Sequence, residues 1–588
     1  MRCALCLALL VAAARAAAPA TAANLHPVLA ERLALAPADS LFSVIALLEE
    51  QAPVAALSRE LAAGGADRAA QHRAVIESLR ETAARTQAPL LAWLATERAA
   101  GRIAGYTPHW IANLVVVAAP PAGIAALAAR GEVSFVESNF RAEPQERNAP
   151  AAAPLPSIGV TTGIRAIGAD RVWRELGITG EGALVAVLDT GADALHPALA
   201  ARWRGLFAPA SECWLDLLGV SPVLPVDPMN HGTHVLGTIA GCAPGDSIGV
   251  APEALWIATN AIGQGVGSAF DNDVIAAFAW LADPDGDPDT LDDVPDLVMS
   301  AWGVNEVLGY ADCDSRWWTV IDHCEAAGVV CLFAAGGDGP APGSIRSPAD
   351  RASTALSSFA IGAVDASDPA DWPYPLTSFS SRGPSGCAAP PELRIKPELV
   401  APGVGVISSI AGGGYAVWSG TAAAGAHAAG VVALMRSANP ELGVEAIKQI
   451  LLATARDEGP AGDDNGYGRG CVDAFAAVQQ ALAGGPTAAP VDPAAPGLLA
   501  VRPNPFRPRG GELALSFALG APAWVELGVF DVAGRRVRRL AAGELPAGEH
   551  TARWDGRDER GRPAAAGVYL CRLHAGAASR ALRIVLLR

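Results

Sequence analysis

Apolar positions along this chain fall into three successive regimes, each with its own period. LFSVIALLEE (41–50) alternates apolar and polar residues and predicts a half-buried strand. Residues Asp67 to Ala100 carry apolar side chains at helical spacing, with Arg and Glu on the other face, and predict a helix that breaks near Pro89. WIANLVVVAAP and VSFVESN predict two more strands around a helix, AGIAALAAR. Residues 24–145 therefore read as a small α+β unit.

From residue 158 to 483 the pattern changes. Short, largely apolar runs (ALVAVLDTG, LWIATNAI, DLVMSAWG, GVVCLFAAG, FAIGAVDAS) alternate with helical stretches such as DNDVIAAFAWLA and Trp317–Ala327. Strands apolar on both faces, separated by helices, predict an α/β domain: a doubly wound parallel sheet with ligand sites beyond the carboxyl ends of its strands. From 498 to 588 short alternating strands return with turn signals between them: LALSFAL, WVELGVFD, HTARWDG, GVYLCRL and RALRIVLL. They predict a β-sandwich. APAAAPLPS (149–157) is a Pro/Ala hinge, and GGPTAAPVDPAAPG (484–497) is an extended linker. No short-period repeat occurs.

Composition adds bounds. At about 150 residues per domain, 588 residues suit three or four units. A hydrophobic content of 51% excludes a disordered chain. The net charge of −17 is uneven: the segment from Leu498 onward holds 15 Arg against 8 acidic residues, leaving about −24 elsewhere. An acidic body argues against nucleic acid as its partner. The first 23 residues combine Arg2, a short apolar run and small residues, which predicts a Sec-type signal peptide and a secreted or cell-surface protein. No other apolar run is long enough to predict a transmembrane span. Eight cysteines follow, at 213, 242, 313, 324, 331, 387, 471 and 571. Export permits disulfides, spacing leaves their pairing open, and the absence of CxxC among these eight argues against structural zinc.

Three segments carry chemistry. VAVLDTGADALHP ends a buried strand in Asp189, where a carboxylate can orient an imidazole. NHGTHVLGTIAG places His231 at the start of a helix. His234 stands three residues on, but no acidic ligand at HExxH spacing supports a metal. WSGTAAAGAHAAGVVAL opens a helix of small residues whose free N–H groups would suit a developing oxyanion.

In this order the segments resemble the subtilases, the subtilisin-like serine peptidases. SFSSRGPS, IKPELVAPGVGVISSI and GDDNGYGRGCVDAFAAV extend the likeness over about residues 165–480. The resemblance implies peptide-bond hydrolysis, with Asp189 orienting the base and His231 acting as the base. It also implies a serine where this chain has Ala422, in GTAAAGAH. The family's oxyanion Asn falls on Gly337, and its Asn-Ser-Trp-Gly segment reads Ser300-Ala301-Trp302-Gly303 here. In subtilisin itself, loss of the serine costs about a million-fold in turnover, and loss of the Asn donor roughly 100- to 1000-fold. Thr421 and Ser419 are the nearest rival nucleophiles, and direct activation of water by His231 would lack the oxyanion donor. Ala426 stands where the family has Pro, and one engineered Ser→Ala change would not explain Gly337, Ala301 and Ala426 together.

The expectation is a catalytically degenerate member that binds peptide along Ala301–Gly303 and Ala334, Ala335 and Gly336, without any required cofactor. Two alternatives stay open: an active serine endopeptidase with a displaced nucleophile, and a surface adhesin. Asp283, Asp285, Asp287 and Asp289 alternate around Gly286 and suggest structural calcium. YTPHWIANLVVVAAPPAGIAALAARGEVSFVESNF resembles a subtilase propeptide, which would stay attached unless another protease cuts near 146–156. RPNPFRP, VFDVAGRRVRRL and LPAGEHTARWDGRDERGRPAAAGVYLCRL resemble the immunoglobulin-like domains of flagellar hook-capping proteins and bacterial sorting domains. That likeness implies attachment to the cell surface.

Overall fold

The computed structural model describes residues 24–139, 159–243, 246–263, 269–484 and most of 500–586. The expected signal peptide, the hinge at 149–157 with its cleavage stretch, and the linker from residue 485 lie outside the described residues.

The N-terminal unit is a four-stranded antiparallel sheet in the order 105–109, 114–119, 42–48, 133–138. Its own core holds Leu29, Val44, Leu90, Leu94, Val115, Val117 and Ile124. The helix Arg68–Ala99 runs unbroken through Pro89, against the expected break. Pro89 is exposed, so its ring and the carbonyl it leaves unbonded at Arg85 both face water. Leu90 and Leu94 anchor the next turns in the core. Strand Gly105–His109, with its proline and exposed centre, was not legible as a strand.

The body is built on seven parallel strands in the order 399–402, 359–364, 330–334, 297–300, 184–188, 255–259, 214–215. Every residue of strands Leu184–Leu188, Leu297–Ser300 and Val330–Ala334 is buried, as their unbroken apolar runs require. Helices His231–Ala240, Thr421–Ala438 and Ala474–Leu482 form one packed group, and Ala269–Ala282 with Trp318–Ala326 a second. From strand 184–188 the order runs one way to 255–259 and the other way to 297–300 and beyond. That reversal is the switch point where doubly wound sheets open a crevice at the strands' carboxyl ends. Asp189 and Ala301 stand at those ends. Cys313 and Cys387 are joined by a disulfide.

The C-terminal region forms two antiparallel sheets, 500–502/513–519/548–554 and 536–545/523–531/567–575/578–586. They close on a core of Phe506, Leu515, Val529, Trp554 and Leu573, the expected β-sandwich. Strand Arg536–Leu545 escaped sequence reading because its arginines mask the alternation.

The N-terminal unit sits on the second helix group. Val75, Ile76 and Leu79 of its long helix, with Ile111 and Ala112, join the main core. His72 Nδ1 lies 3.0 Å from Ala327 O, and His109 Nε2 lies 2.7 Å from Asn272 Oδ1. Arg68 pairs with Asp296 at 3.1 Å.

Candidate active site

Asp189 is completely buried at the end of its strand. Its Oδ1 accepts a hydrogen bond from Thr190 N at 2.8 Å and lies 2.7 Å from His231 Nδ1. A carboxylate only accepts, so Nδ1 carries the proton and neutral His231 keeps its lone pair on Nε2. This is the tautomer a general base needs.

Backbone crowding enforces the pairing. A Cβ on Gly232 would lie 2.0 Å from Gly191 O, and one on Gly191 would lie 2.1 Å from Val226 O. Two glycines therefore let the helix start press against the strand end. Asp227 holds that approach. Its Oδ1 accepts from Thr190 Oγ1 at 2.8 Å, and its Oδ2 accepts from Thr233 N and Oγ1 at 2.8 and 2.7 Å. Thr190 Oγ1 in turn accepts from Gly232 N at 2.9 Å. Asp227 and Thr190 were missed as positioning residues. An acidic residue one turn before the helix was the available signal.

The helix Thr421–Ala438 meets the same site from the other side. Gly425 lets it descend onto the strand 297–300, since a Cβ there would lie 2.1 Å from Met299 Cε. Trp418 stacks on His234 with centroids 4.5 Å apart and lies 6.4 Å from the His231 ring. Burial, with the neighbouring His231 second, pulls His234 down to about 3, so it stays neutral beneath the indole. Thr421 Oγ1 lies 3.2 Å from both Gly336 N and Gly336 O. The helix N-terminus thus stands between the His231 side and the end of strand 330–334. Ala422 is the first partly exposed residue of this otherwise buried helix start. The rival hydroxyls are engaged elsewhere: Thr421 on Gly336, and Ser419 Oγ accepting from Gly405 N at 3.0 Å.

Gly337 follows with no side chain to offer. Asp338 beside it is gripped by Arg346, whose Nη2 donates at 2.6 Å and whose Nε is also bonded to it. The Arg346 stem packs between two of the expected peptide-binding segments. A Cβ on Gly303 would lie 2.8 Å from Arg346 Cβ, and one on Gly336 would lie 3.0 Å from its Cγ. Ser347 and Val304 exchange backbone bonds at 2.8 and 3.0 Å, tying the segment to Gly303. Arg346 was not singled out in sequence, because its contact with both glycines is long-range. The Trp302 indole turns into an aromatic cluster, 5.2 Å from Trp317 and 5.8 Å from Phe270, so this residue offers the cleft only its backbone.

The acidic loop groups differently from its spacing. Asp283 and Asp285 come together with Asp293, their ligand oxygens within 4.8 Å of one another. Asp287 and Asp289 lie outside that group: Asp287 Oδ1 accepts from Asp289 N at 3.0 Å, and Asp289 pairs with Arg73.

Comparison with known proteins agrees with this frame. Residues 180–470 match the subtilase family, and residues 507–579 match the FlgD Ig-like domain. The chain is 34% identical over 430 residues to Bacillopeptidase F of Bacillus subtilis (strain 168), covering 69% of this chain and 28% of that one. It is 30% identical over 315 residues to serine protease AprX of the same organism, covering 50% and 66% of the two chains. With subtilisin E it shares 31% identity over 308 residues, 52% of this chain and 67% of that one. Among the described residues no helix is long and apolar enough to cross a membrane. The parallel sheet, the Asp189–His231 pair at its switch point and these similarities place the chain in the subtilase family.

Proposed function

We propose that this chain is a degenerate subtilase: an exported protein that keeps a peptide-binding cleft and has lost peptide-bond hydrolysis. One observation carries the reading. Residue 422 offers a methyl group where the family mechanism needs a nucleophilic oxygen, so no acyl-enzyme can form. Gly337 supports it independently, because the side-chain amide that would stabilise an oxyanion is absent as well. Backbone pairing along Ala301–Gly303 needs neither group, so an extended peptide still has an edge to bind there, whereas the backbone of Ala335 and Gly336 is already engaged by Ile361, Arg346, Ser381 and Thr421. The N-terminal unit plays the propeptide's part and remains covalently attached, since self-cleavage requires the missing nucleophile. The FlgD-type sandwich serves retention at the cell surface.

The test is labelling by a fluorophosphonate together with hydrolysis of casein. The natural chain should give neither. Ala422→Ser should give slow labelling, and the double variant with Gly337→Asn should turn over roughly 100- to 1000-fold faster than the single one. Clear labelling of the natural chain would establish an active endopeptidase, and the labelled residue would name its nucleophile. Intact mass of the secreted protein should show residues 24–139 still joined to the body.

A further inference from the structure

The loop after the helix Ala269–Ala282 holds a group of carboxylates that the cleft does not use. Asp283, Asp285 and Asp293 bring oxygens within 4.8 Å of one another. Asp293 is 1% exposed. One of its oxygens accepts from Asp285 N at 2.9 Å; the other, Oδ1, is buried and has no hydrogen-bond partner among the described residues. A buried carboxylate oxygen without a donor is costly unless something positive meets it. Asp283 is 5% exposed. Its cation comes from the N-terminal unit: Arg80 Nη2 lies 2.6 Å from Asp283 Oδ2, and Arg80 Nη1 donates to Gly286 O at 2.7 Å. Of the three carboxylates, Arg80 thus meets Asp283 directly.

The donors are carboxylate oxygens on a tight loop, turned at Gly286 with φ 83°, with a backbone carbonyl beside them. Hard oxygen donors suit calcium. Arg80 already occupies one of the carboxylates and that carbonyl.

We propose that Asp283, Asp285 and Asp293 form a calcium site, and that Arg80 of the N-terminal unit competes with the ion for it. With the unit seated, Arg80 is the counter-charge. With the unit lifted, calcium takes its place. Arg73 on Asp289 and Arg68 on Asp296 grip the same loop from the same helix, so the loop's charge is matched to the unit as a whole. Linkage makes the effect reciprocal: calcium loosens the seating of the N-terminal unit by the factor by which the unit weakens calcium binding. The site is independent of whether the cleft hydrolyses peptides.

The experiment uses the full chain, with Ca²⁺ in titration calorimetry and Tb³⁺ as a luminescent probe. Arg80→Gln should bind one Ca²⁺ at least tenfold more tightly than the natural chain. Adding Asp285→Asn, a change at an exposed position that keeps an oxygen to accept one of the loop's hydrogen bonds, should cut that affinity at least tenfold, and Asp293→Asn should do the same. Hydrogen exchange of the helix Arg68–Ala99 should quicken on adding Ca²⁺ to the natural chain and not to Asp285→Asn. Equal affinity of the natural chain and Arg80→Gln would overturn the competition. Absence of binding by Arg80→Gln, or binding that ignores Asp285→Asn, would overturn the site.

Discussion

At Gly232 a single hydrogen in place of a methyl group sets the distance between Asp189 and His231. Gly232→Ala would drive its Cβ into Gly191 O, 2.0 Å away, and neither backbone can yield cheaply. The expected result is a loss of about 1–3 kcal/mol, read as a lower thermal midpoint, and a change in the His231 tautomer seen by ¹⁵N NMR. Arg346 acts at the same scale. Its stem fills the space between Gly303 and Gly336, and its head neutralises Asp338. Arg346→Ala should open that space, so peptides carrying one large apolar residue should bind about tenfold more tightly, as measured by fluorescence anisotropy. Unchanged affinity would mean that peptides do not use this part of the cleft.

At the scale of elements, the helix Arg68–Ala99 keeps its course through a residue that normally ends helices. Its continuity comes from tertiary contacts on the buried face: Val75, Ile76 and Leu79 on the body, Leu90 and Leu94 on the unit's own sheet. Pro89 still costs a hydrogen bond, so Pro89→Ala should stabilise the chain by as much as about 3 kcal/mol, checked by thermal shift. A neutral result would show that the solvated Arg85 carbonyl has already offset the loss. The body's strands were legible because parallel strands buried on both faces need unbroken apolar runs. Gly105–His109 and Arg536–Leu545 were not, because exposed edges and long charged side chains erase the period that marks a strand.

Across the whole molecule, the seat of the N-terminal unit is an ionisable interface. Glu137, on the unit's last strand, lies near Arg316, Asp314 and Asp271 of the body; burial above all raises it from 4.5 to about 7. Arg316 is tied to Asp271, to Asp314 at 2.8 Å and to Ser138 O at 3.4 Å. A carboxyl whose folded value is raised stabilises the folded state fully below its ordinary value, and that stability is lost as the pH rises through about 7. The thermal midpoint should therefore fall between about pH 4.5 and 7, by a component on the order of a few kcal/mol that Glu137→Gln removes. A Glu137→Gln chain with the same pH profile as the natural one would remove Glu137 from this account.

The order of amino acids set the succession of apolar periods, and with it the three regions and their fold classes. It also determined the chemistry present or absent at 189, 231, 337 and 422, because a side chain's functional groups do not depend on the fold. The tertiary structure alone decided which distant residues meet. It seated Asp227 under the Thr190–Gly232 contact, laid Arg346 between two glycines, and replaced Asp287 and Asp289 with Asp293 in the acidic cluster. The reason is physical. Periodicity reports which face of an element is buried, whereas contacts between loops depend on how packed elements bring their ends together, and no local pattern encodes that.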